Sequence, residues 1–192
     1  MKKEESTGRP DSGRAFLKDI PLSPLNWAAQ ITFWSIALIG LSLDLWSKNA
    51  VFRWLQQKPD HSIPVIDGFL QMVVAENAGA AFGIARGQTQ LLVSVSVVAL
   101  LIIFVVFIFS QAERKMIHAV LGLLAAGVSG NLYDRVFNGG LVRDFIDVVY
   151  WPGRHWPAFN IADSMLCIGV GLMIILGLFT QTSAQKRVQQ HK

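Results

Sequence analysis

Five aspartates and three asparagines of this 192-residue chain stand at the ends of long apolar runs or in the segments between them. They are Asp44, Asp134, Asp144, Asp147, Asp163, Asn77, Asn131 and Asn160. Two carboxyl groups within hydrogen-bonding distance share a proton, because both cannot ionise cheaply side by side. Such a pair can hydrolyse a peptide, since one carboxylate takes a proton from water while the other carboxyl group protonates the scissile carbonyl. The sequence therefore suggests a carboxylate site, provided that the fold brings these residues together.

Four apolar runs are long enough to hold these residues in a membrane. Hydrophobic residues make up 52% of the chain and charged residues only 16%, whereas a typical soluble domain has about 25% charged residues. A helix rises about 1.5 Å per residue and needs roughly 20 residues to cross the hydrocarbon core. The predicted spans are residues 27–46, 91–109, 116–132 and 161–179. We therefore predict an all-α membrane protein with four transmembrane helices.

The lysines and arginines predict how these spans are oriented. Ten of the 17 flank one set of span ends, and positive charge is retained on the cytoplasmic side. Both termini are thus expected in the cytoplasm, with residues 1–26 as a disordered tail without a signal peptide and 181–192 as a second tail. Every carboxylate near a span end then falls at the outer face. Ionisable groups at that depth are costly and usually mark a functional site.

The outer loop over residues 47–90 contains a predicted β-hairpin. Two apolar segments, 63–66 and 69–74, flank Asp67 and Gly68, a pair that is typical of tight turns. A small sheet at the membrane surface could hold an extended peptide, or it could only pack against the helices. The pattern leaves both interpretations open.

Four segments carry most of these polar residues. They are DLWSK at 44–48, NAGAAFG at 77–83, GNLYDR at 130–135 followed by GLVRDF at 140–145, and FNIAD at 159–163. In this order and on these spans, they resemble the prolipoprotein signal peptidases (signal peptidase II). The resemblance covers about residues 27–180 and implies a peptidase domain over that range.

The resemblance implies an aspartic endopeptidase of the bacterial inner membrane, with its site at the periplasmic face and no cofactor or metal. It would remove the signal peptide of a prolipoprotein just before a cysteine that carries a diacylglyceryl group. The implied catalytic pair is Asp144 and Asp163. The implied substrate-binding residues are Asn77, Asn131, Arg135 and Asn160, and the supporting residues are Asp44, Lys48 and Asp134. The expected partners are this substrate, membrane lipid and the cyclic lipopeptide inhibitor globomycin, with no nucleic acid, and the chain is expected to be a monomer.

Two pairs of these residues also have structural interpretations. Asn160 and Asp163 have the spacing of a helix N-cap, in which both side chains satisfy free main-chain N–H groups. Asp44 and Lys48 have the (i, i+4) spacing of an ion pair on one helix face. For Asp44 and Lys48, a structural pair is the favoured interpretation.

Three further expectations concern single positions. Asp134 and Arg135 could form an interfacial ion pair instead of serving the site. Asp147 is expected to be a solvated or structural carboxylate. Cys167 lies inside an apolar run and is expected to be a small core residue, not a nucleophile.

Two other functions also fit the carboxylates. Asp134, Asp144, Asp147 and Asp163 could surround Mg²⁺ as hard oxygen ligands of a metal-dependent membrane enzyme. Alternatively, the carboxylates could form an ion path through a transporter or channel. A path of this kind needs polar residues deep in the spans, whereas the inner halves of the spans are apolar.

Overall fold

The protein's structure, a computed structural model, describes residues 27–80, 83–110 and 115–190, with side chains as far as residue 178. Within these residues lie four helices: α1 Trp27–Leu55, α2 Thr89–Phe109, α3 Lys115–Phe137 and α4 Ile161–Gln190. All four are long and apolar enough to cross a membrane, which confirms the four predicted spans. The predicted tail 1–26 lies outside the described residues, whereas residues 181–190 continue α4.

Helix α1 ends at Leu55, although its apolar run predicted a span ending at residue 46. Beyond that run, Lys48, Phe52 and Leu55 continue the buried face of the helix, in line with Asp44. A span predicted from hydropathy ends where charged residues begin. The helix itself can continue past them when those charges have partners inside the bundle. The beginning of the predicted loop 47–90 is therefore part of α1.

Helix α3 packs against the other three helices and approaches α1 and α4 closely. A Cβ placed on Gly122 would lie 2.7 Å from the main-chain oxygen of Phe33 in α1, and one on Gly127 would lie 2.7 Å from that of Ala162 in α4. A Cβ on Gly130 would overlap the carboxylate of Asp44. The small residues of α3 therefore allow close packing against α1 and α4.

The two ends of the bundle differ in polarity. An apolar cluster fills the end where α1 and α3 begin: Phe33, Ala37, Ile103, Phe107, Leu121 and Ala125. Among the described residues, the buried polar side chains of the spans lie at the opposite end, with the exception of His118. An ion path would need such groups spaced along the whole bundle, so this distribution does not support a transporter.

A four-stranded antiparallel sheet lies at the polar end, with its strands in chain order: β1 Ser62–Ile66, β2 Leu70–Asn77, β3 Val142–Trp151 and β4 Arg154–His155. Strands β1 and β2 are the predicted hairpin, and Gly68 in its turn has a φ of +72°, which favours glycine. Strands β3 and β4 come from the connection between α3 and α4. The prediction of a sheet within the first outer loop alone was therefore incomplete. Strand β3 is buried on both faces over much of its length, so it lacks the alternation that reveals a half-buried strand.

Candidate active site

Asp144 and Asp163 lie in one polar site, although they belong to different elements. Strand β3 carries Asp144, and the first turn of α4 carries Asp163. Each of their four carboxylate oxygens accepts a hydrogen bond from an amide group. Asp144 accepts from Asn160 Nδ2 at 2.6 Å and from Asn77 Nδ2 at 3.2 Å. Asp163 accepts from Asn131 Nδ2 at 2.7 Å and from the main-chain N–H of Asn160 at 3.2 Å. The amides thus fix the orientation of both carboxyl groups.

Asn160 links the two carboxyl groups and also begins α4. Its Oδ1 accepts the main-chain N–H of Asp163 at 2.9 Å, while Asp163 Oδ2 accepts the main-chain N–H of Asn160. This reciprocal pattern is a capping box. The N-cap interpretation is therefore confirmed, and it coexists with a place in the polar site, because the amide nitrogen of Asn160 remains free to bind Asp144.

Asp144 is almost completely buried, with 1% of its surface exposed. Burial, together with the negative charge of Asp163, raises the pKa of Asp144 to about 7. Hydrogen bonds from Asn77 and Asn160 and the positive charge of Lys48 act in the opposite direction but do not outweigh burial. Near neutral pH, Asp144 is thus able to hold the proton of the pair. A two-carboxylate hydrolase needs one carboxyl group that is protonated at its working pH.

A cavity of about 450 Å³ opens beside the pair. Its polar wall contains Asn77, Asn131, Arg135 and Asp163, whereas Asp144 does not line it. The rest of the wall is mainly apolar: Val142, Trp156, Pro157, Ala158, Phe159, Leu166, Cys167 and Ile168. A substrate or a water molecule in the cavity would therefore meet Asp163 first, with Asp144 behind it.

Cys167 is exposed on α4 and lines this cavity. The prediction that it is a small core residue was wrong. Residues of a membrane helix are apolar on their lipid-facing side as well as inside the bundle, so an apolar neighbourhood does not identify the buried face.

Arg135 extends from α3 towards the loop that follows β2. Its Nη2 donates to the main-chain oxygen of Gly79 at 2.9 Å, and its Nη1 to that of Asn131 at 3.5 Å. Its neighbour Asp134 points elsewhere and pairs with Lys48 and Arg143. The alternative of an Asp134–Arg135 ion pair was therefore wrong.

Behind the site lies a buried cluster of four charges, Asp44, Lys48, Asp134 and Arg143. Lys48 Nζ lies 2.7 Å from Asp44 Oδ2 and 3.2 Å from Asp134 Oδ2, and Arg143 Nη2 lies 2.6 Å from Asp134 Oδ1. The first three side chains have no exposed surface. The favoured Asp44–Lys48 pair is confirmed, but it is only half of the cluster.

Hydrogen bonds from Lys48 and to Asp44 connect the cluster to the site. Lys48 donates to Asn131 Oδ1 at 3.1 Å, and Asn131 in turn donates to Asp163. Asp44 Oδ1 accepts the main-chain N–H of Ala162 at 2.9 Å. The cluster thus sets both the side chain that holds Asp163 and the position of the helix that carries it.

Arg143 was not among the residues predicted for the site. In the sequence, Arg143 is a single charge between Val142 and Asp144, within the segment GLVRDF at 140–145. Its partner Asp134 lies nine positions earlier in another element, a spacing that follows no local rule.

Asp147 lies on the opposite face of β3 from Asp144, because successive side chains of a strand alternate. Its Oδ2 accepts from Gln71 Nε2 at 2.5 Å and lies 2.7 Å from His155 Nδ1. Only 7% of its surface is exposed. Of the two expectations for Asp147, the structural one is therefore confirmed and the solvated one is wrong.

The four carboxylates that a magnesium site would need do not converge. Asp134 is paired with two cations, and Asp147 is on the far face of the sheet. Over residues 27–80, 83–110 and 115–190, no group of three or more His, Cys, Asp or Glu side chains could hold a metal ion. The geometry therefore favours a two-carboxylate site over a Mg²⁺ site.

Residues 36–179 match the family model described as Signal peptidase (SPase) II. The chain belongs to the signal peptidase II family. Membership in this family makes the protein a protease. The matched region includes all of α2, α3 and the sheet, together with residues 36–55 of α1 and 161–179 of α4. The paired aspartates and the residues that line the cavity all lie within it.

Curated members of the signal peptidase II family resemble the chain over most of its length. The lipoprotein signal peptidase of Geobacter sulfurreducens is 40% identical over 146 residues, which cover 74% of this chain and 89% of the relative. The lipoprotein signal peptidase of Rhodopirellula baltica is 36% identical over 158 residues, which cover 74% of this chain and 70% of the relative. A solved bacterial membrane enzyme has a TM-score of 0.69 and 36% identity, covering 80% of this chain and 90% of that one.

The raised pKa of Asp144 predicts how the stability of this signal peptidase II protein depends on pH. The pKa of Asp144 rises from an ordinary 3.8 to about 7 on folding. The protonated carboxyl group therefore stabilises the folded protein fully when the pH is below the pKa of the unfolded state, and this stabilisation is lost as the pH rises through the pKa of the folded state. We expect the melting temperature in detergent to fall between about pH 4 and about pH 7. In Asp144→Asn, which is neutral throughout, this component should vanish. An Asp60→Asn control at an exposed position should keep it, and equal pH dependence in wild type and Asp144→Asn would contradict the raised pKa.

Proposed function

We propose that Asp144 and Asp163 are the catalytic pair of an aspartic endopeptidase that removes the signal peptide of prolipoproteins. The observation that carries the proposal is that Asn160 donates to both carboxyl groups beside a cavity, with amide donors on all four carboxylate oxygens. Family membership supports the activity, since the similar curated proteins are named lipoprotein signal peptidases.

The environments of the two carboxyl groups suggest different roles. Asp163 lines the cavity, so its carboxylate takes a proton from a water molecule as that water attacks the scissile carbonyl carbon. Asp144, which has a pKa of about 7 and lies behind Asp163, is proposed to reach the carbonyl oxygen when the peptide binds and to donate its proton to it. When the tetrahedral intermediate collapses, the proton on Asp163 passes to the leaving amine. Asp163 is thereby ionised again, and Asp144 recovers its proton from a hydroxyl group of the intermediate as the new carboxyl group forms, so both groups return to their starting protonation states.

The polar residues of the cavity wall support this chemistry. Asn77, Asn131 and Arg135 line the cavity and are proposed to contact substrate. The guanidinium of Arg135 can stabilise the negative charge that develops on the carbonyl oxygen. Asn160 is completely buried, so we assign it to orienting Asp144 and Asp163 and not to direct contact. The supporting residues Asp44, Lys48 and Asp134 hold the elements that carry the pair, and no cofactor is required.

The proposed location is the bacterial inner membrane, with both termini in the cytoplasm and the site and hairpin at the periplasmic face. The ends of α1 and α3 and the beginning of α4 meet at the site, so a four-span topology puts them at one interface. Seven basic residues are on that side, but three of them, Lys48, Arg135 and Arg143, bind within the site. Without these three, ten basic residues lie on the opposite side and four on the side of the site, which strengthens the assignment of the opposite side as cytoplasmic.

The substrate is proposed to carry a diacylglyceryl group on the cysteine that follows the cleavage site. The cavity extends along α4 to the apolar residues Leu166 and Ile168, inside the spanning segment. Two acyl chains in the surrounding lipid would hold the peptide at the interface, at about 0.8 kcal/mol for each buried CH₂. The same surface is proposed to bind globomycin, and a single chain holds all the proposed catalytic residues, which fits a monomer.

The catalytic pair can be tested with three single variants and one double variant. We expect Asp144→Asn and Asp163→Asn to lose nearly all turnover, and the double variant to lose little more, because the two groups act as one unit. Asp147→Asn should retain most activity, since Asp147 faces away from the pair. Initial rates should be measured on a lipid-modified precursor at equal amounts of folded enzyme. Activity in both Asp144→Asn and Asp163→Asn would refute the aspartic mechanism. An inactive Asp147→Asn enzyme beside an active Asp144→Asn enzyme would instead assign Asp147, and not Asp144, to the catalytic pair.

The lipid requirement predicts a rate difference between two forms of one substrate. The purified protein should cut a diacylglyceryl-modified precursor much faster than the unmodified precursor, because only the former is anchored at the interface. Globomycin should block cleavage of the modified form. The measurement is the size shift of the precursor over time, and equal rates on both forms would count against the proposed substrate.

Orientation can be read by thiol labelling of whole cells. In a Cys167→Ala background, a cysteine introduced at Asp67 should react with a membrane-impermeant reagent. Cysteines introduced at Ser6 and at Gln185 should not react until the cells are permeabilised. Labelling at positions 6 and 185 in intact cells, with none at position 67, would show that the site faces the cytoplasm and would contradict the proposed orientation.

A further inference from the structure

Arg143, the residue before Asp144, joins β3 to two helices. Its Nε and Nη2 donate to Asp134 Oδ1 at 3.1 and 2.6 Å, and its Nη1 donates to Asn49 Oδ1 at 2.6 Å. Its main-chain N–H donates to the other oxygen of Asp134 at 3.0 Å. One residue thus ties the beginning of β3 to α3 through its main chain and its side chain, and to α1 through its side chain.

The carbonyl oxygen of Arg143 faces α4. It accepts from Asn160 Nδ2 at 3.3 Å, and the same amide nitrogen lies 2.6 Å from Asp144 Oδ1. Both the residue before Asp144 and the carboxyl group of Asp144 are therefore held by one amide. Displacement of Arg143 would move Asp144 relative to Asp163, because no residue separates Arg143 from Asp144.

Arg143 also balances the charge of the buried cluster. Asp44 and Asp134 carry two negative charges, and Lys48 and Arg143 carry two positive ones. Without Arg143, the cluster would have a net negative charge close to Asp144. That carboxyl group already faces Asp163 from α4, Arg135 from α3 and Lys48 from α1, and Glu76 of β2 lies opposite Arg143 in the sheet register.

We propose that Arg143 is a positioning residue for Asp144, holding its carboxyl group against Asp163 and keeping the cluster behind the pair electrically neutral. This role rests on the proposed catalytic pair. Arg143 does not line the cavity, so it acts through Asp144 and not through contact with substrate.

The test compares kcat, KM and the pH profile of Arg143→Ala, Arg143→Lys and Asn49→Ala on a diacylglyceryl-modified precursor. For Arg143→Ala we expect kcat to fall about tenfold or more at an almost unchanged KM, since a small displacement of a catalytic group is costly. The high-pH limb of its pH–rate profile, where Asp144 loses its proton, should move to higher pH. The reason is that the net negative charge left in the cluster favours the protonated form of Asp144. Arg143→Lys should restore the pH profile by keeping the charge, but only part of kcat, because an ammonium group lacks the planar fork that binds Asp134 and Asn49 together.

Arg154→Ala is the matched control, because Arg154 is an exposed arginine in the neighbouring strand β4. It should leave kcat, KM and the pH profile unchanged. Folded enzyme should be quantified by size-exclusion chromatography and melting temperature, so that rates refer to equal folded amounts. If Arg143→Ala does not fold, Asn49→Ala decides, since it removes only the contact with α1 and should lower kcat about threefold at constant KM.

Wild-type kcat and an unshifted pH limb in Arg143→Ala would overturn the proposal, as would a rise in KM alone. Wild-type kcat in Asn49→Ala would do the same where the Arg143 variant cannot be obtained. Failure of the catalytic pair has a different signature, because Asp144→Asn would then remain active. An inactive Asp144→Asn beside a fully active Arg143→Ala would reject only the role of Arg143.

Discussion

The buried cluster of Asp44, Lys48, Asp134 and Arg143 is the interaction on which the site depends. Removing a charge from water costs several kcal/mol, so each buried charge must be paired in a favourable geometry. Here the pairing requires α1, α3 and β3 to meet at one end of the bundle, because each contributes at least one of the four charges. Asp44 also accepts the N–H of Ala162, at the positive end of the α4 dipole. Elements from both halves of the chain are thereby fixed at one point, and the close approach of the small residues of α3 makes this possible.

Two carboxyl groups placed beside this cluster acquire different properties. Asp144 is enclosed between the sheet and the helices, and its pKa rises to about 7. Asp163 lines the cavity and is held by Asn131, which in turn is held by Lys48. One carboxyl group can therefore retain a proton while its partner faces water and substrate. This asymmetry is what hydrolysis by a carboxylate pair requires, and it arises from the packing of β3 and α4, not from any difference in residue type.

The features that the sequence predicted correctly are local ones. Span length and composition predicted four membrane helices, and Asp67-Gly68 between apolar segments predicted the β1–β2 hairpin. The spacing of Asn160 and Asp163 predicted the N-cap of α4. The four segments in order indicated the family, which the comparisons then established, and with it came the candidate residues. Short-range spacing is informative because helix and turn geometry is set by neighbouring residues.

The sequence alone determined the spans, the hairpin and the local caps, whereas only the tertiary structure decided which distant groups meet. Three features depend on contacts between separate elements: the pairing of β3 with β2, the choice of Arg143 and Lys48 as partners of Asp134, and the continuation of α1 to Leu55. The exposure of Cys167 also required the packed structure, since lipid and protein interior favour the same apolar side chains. Long-range pairing follows from how helices and strands pack, and no residue spacing encodes it. The difference in pKa between an ordinary aspartate and Asp144 has the same origin, because burial and a neighbouring carboxylate exist only in the folded protein.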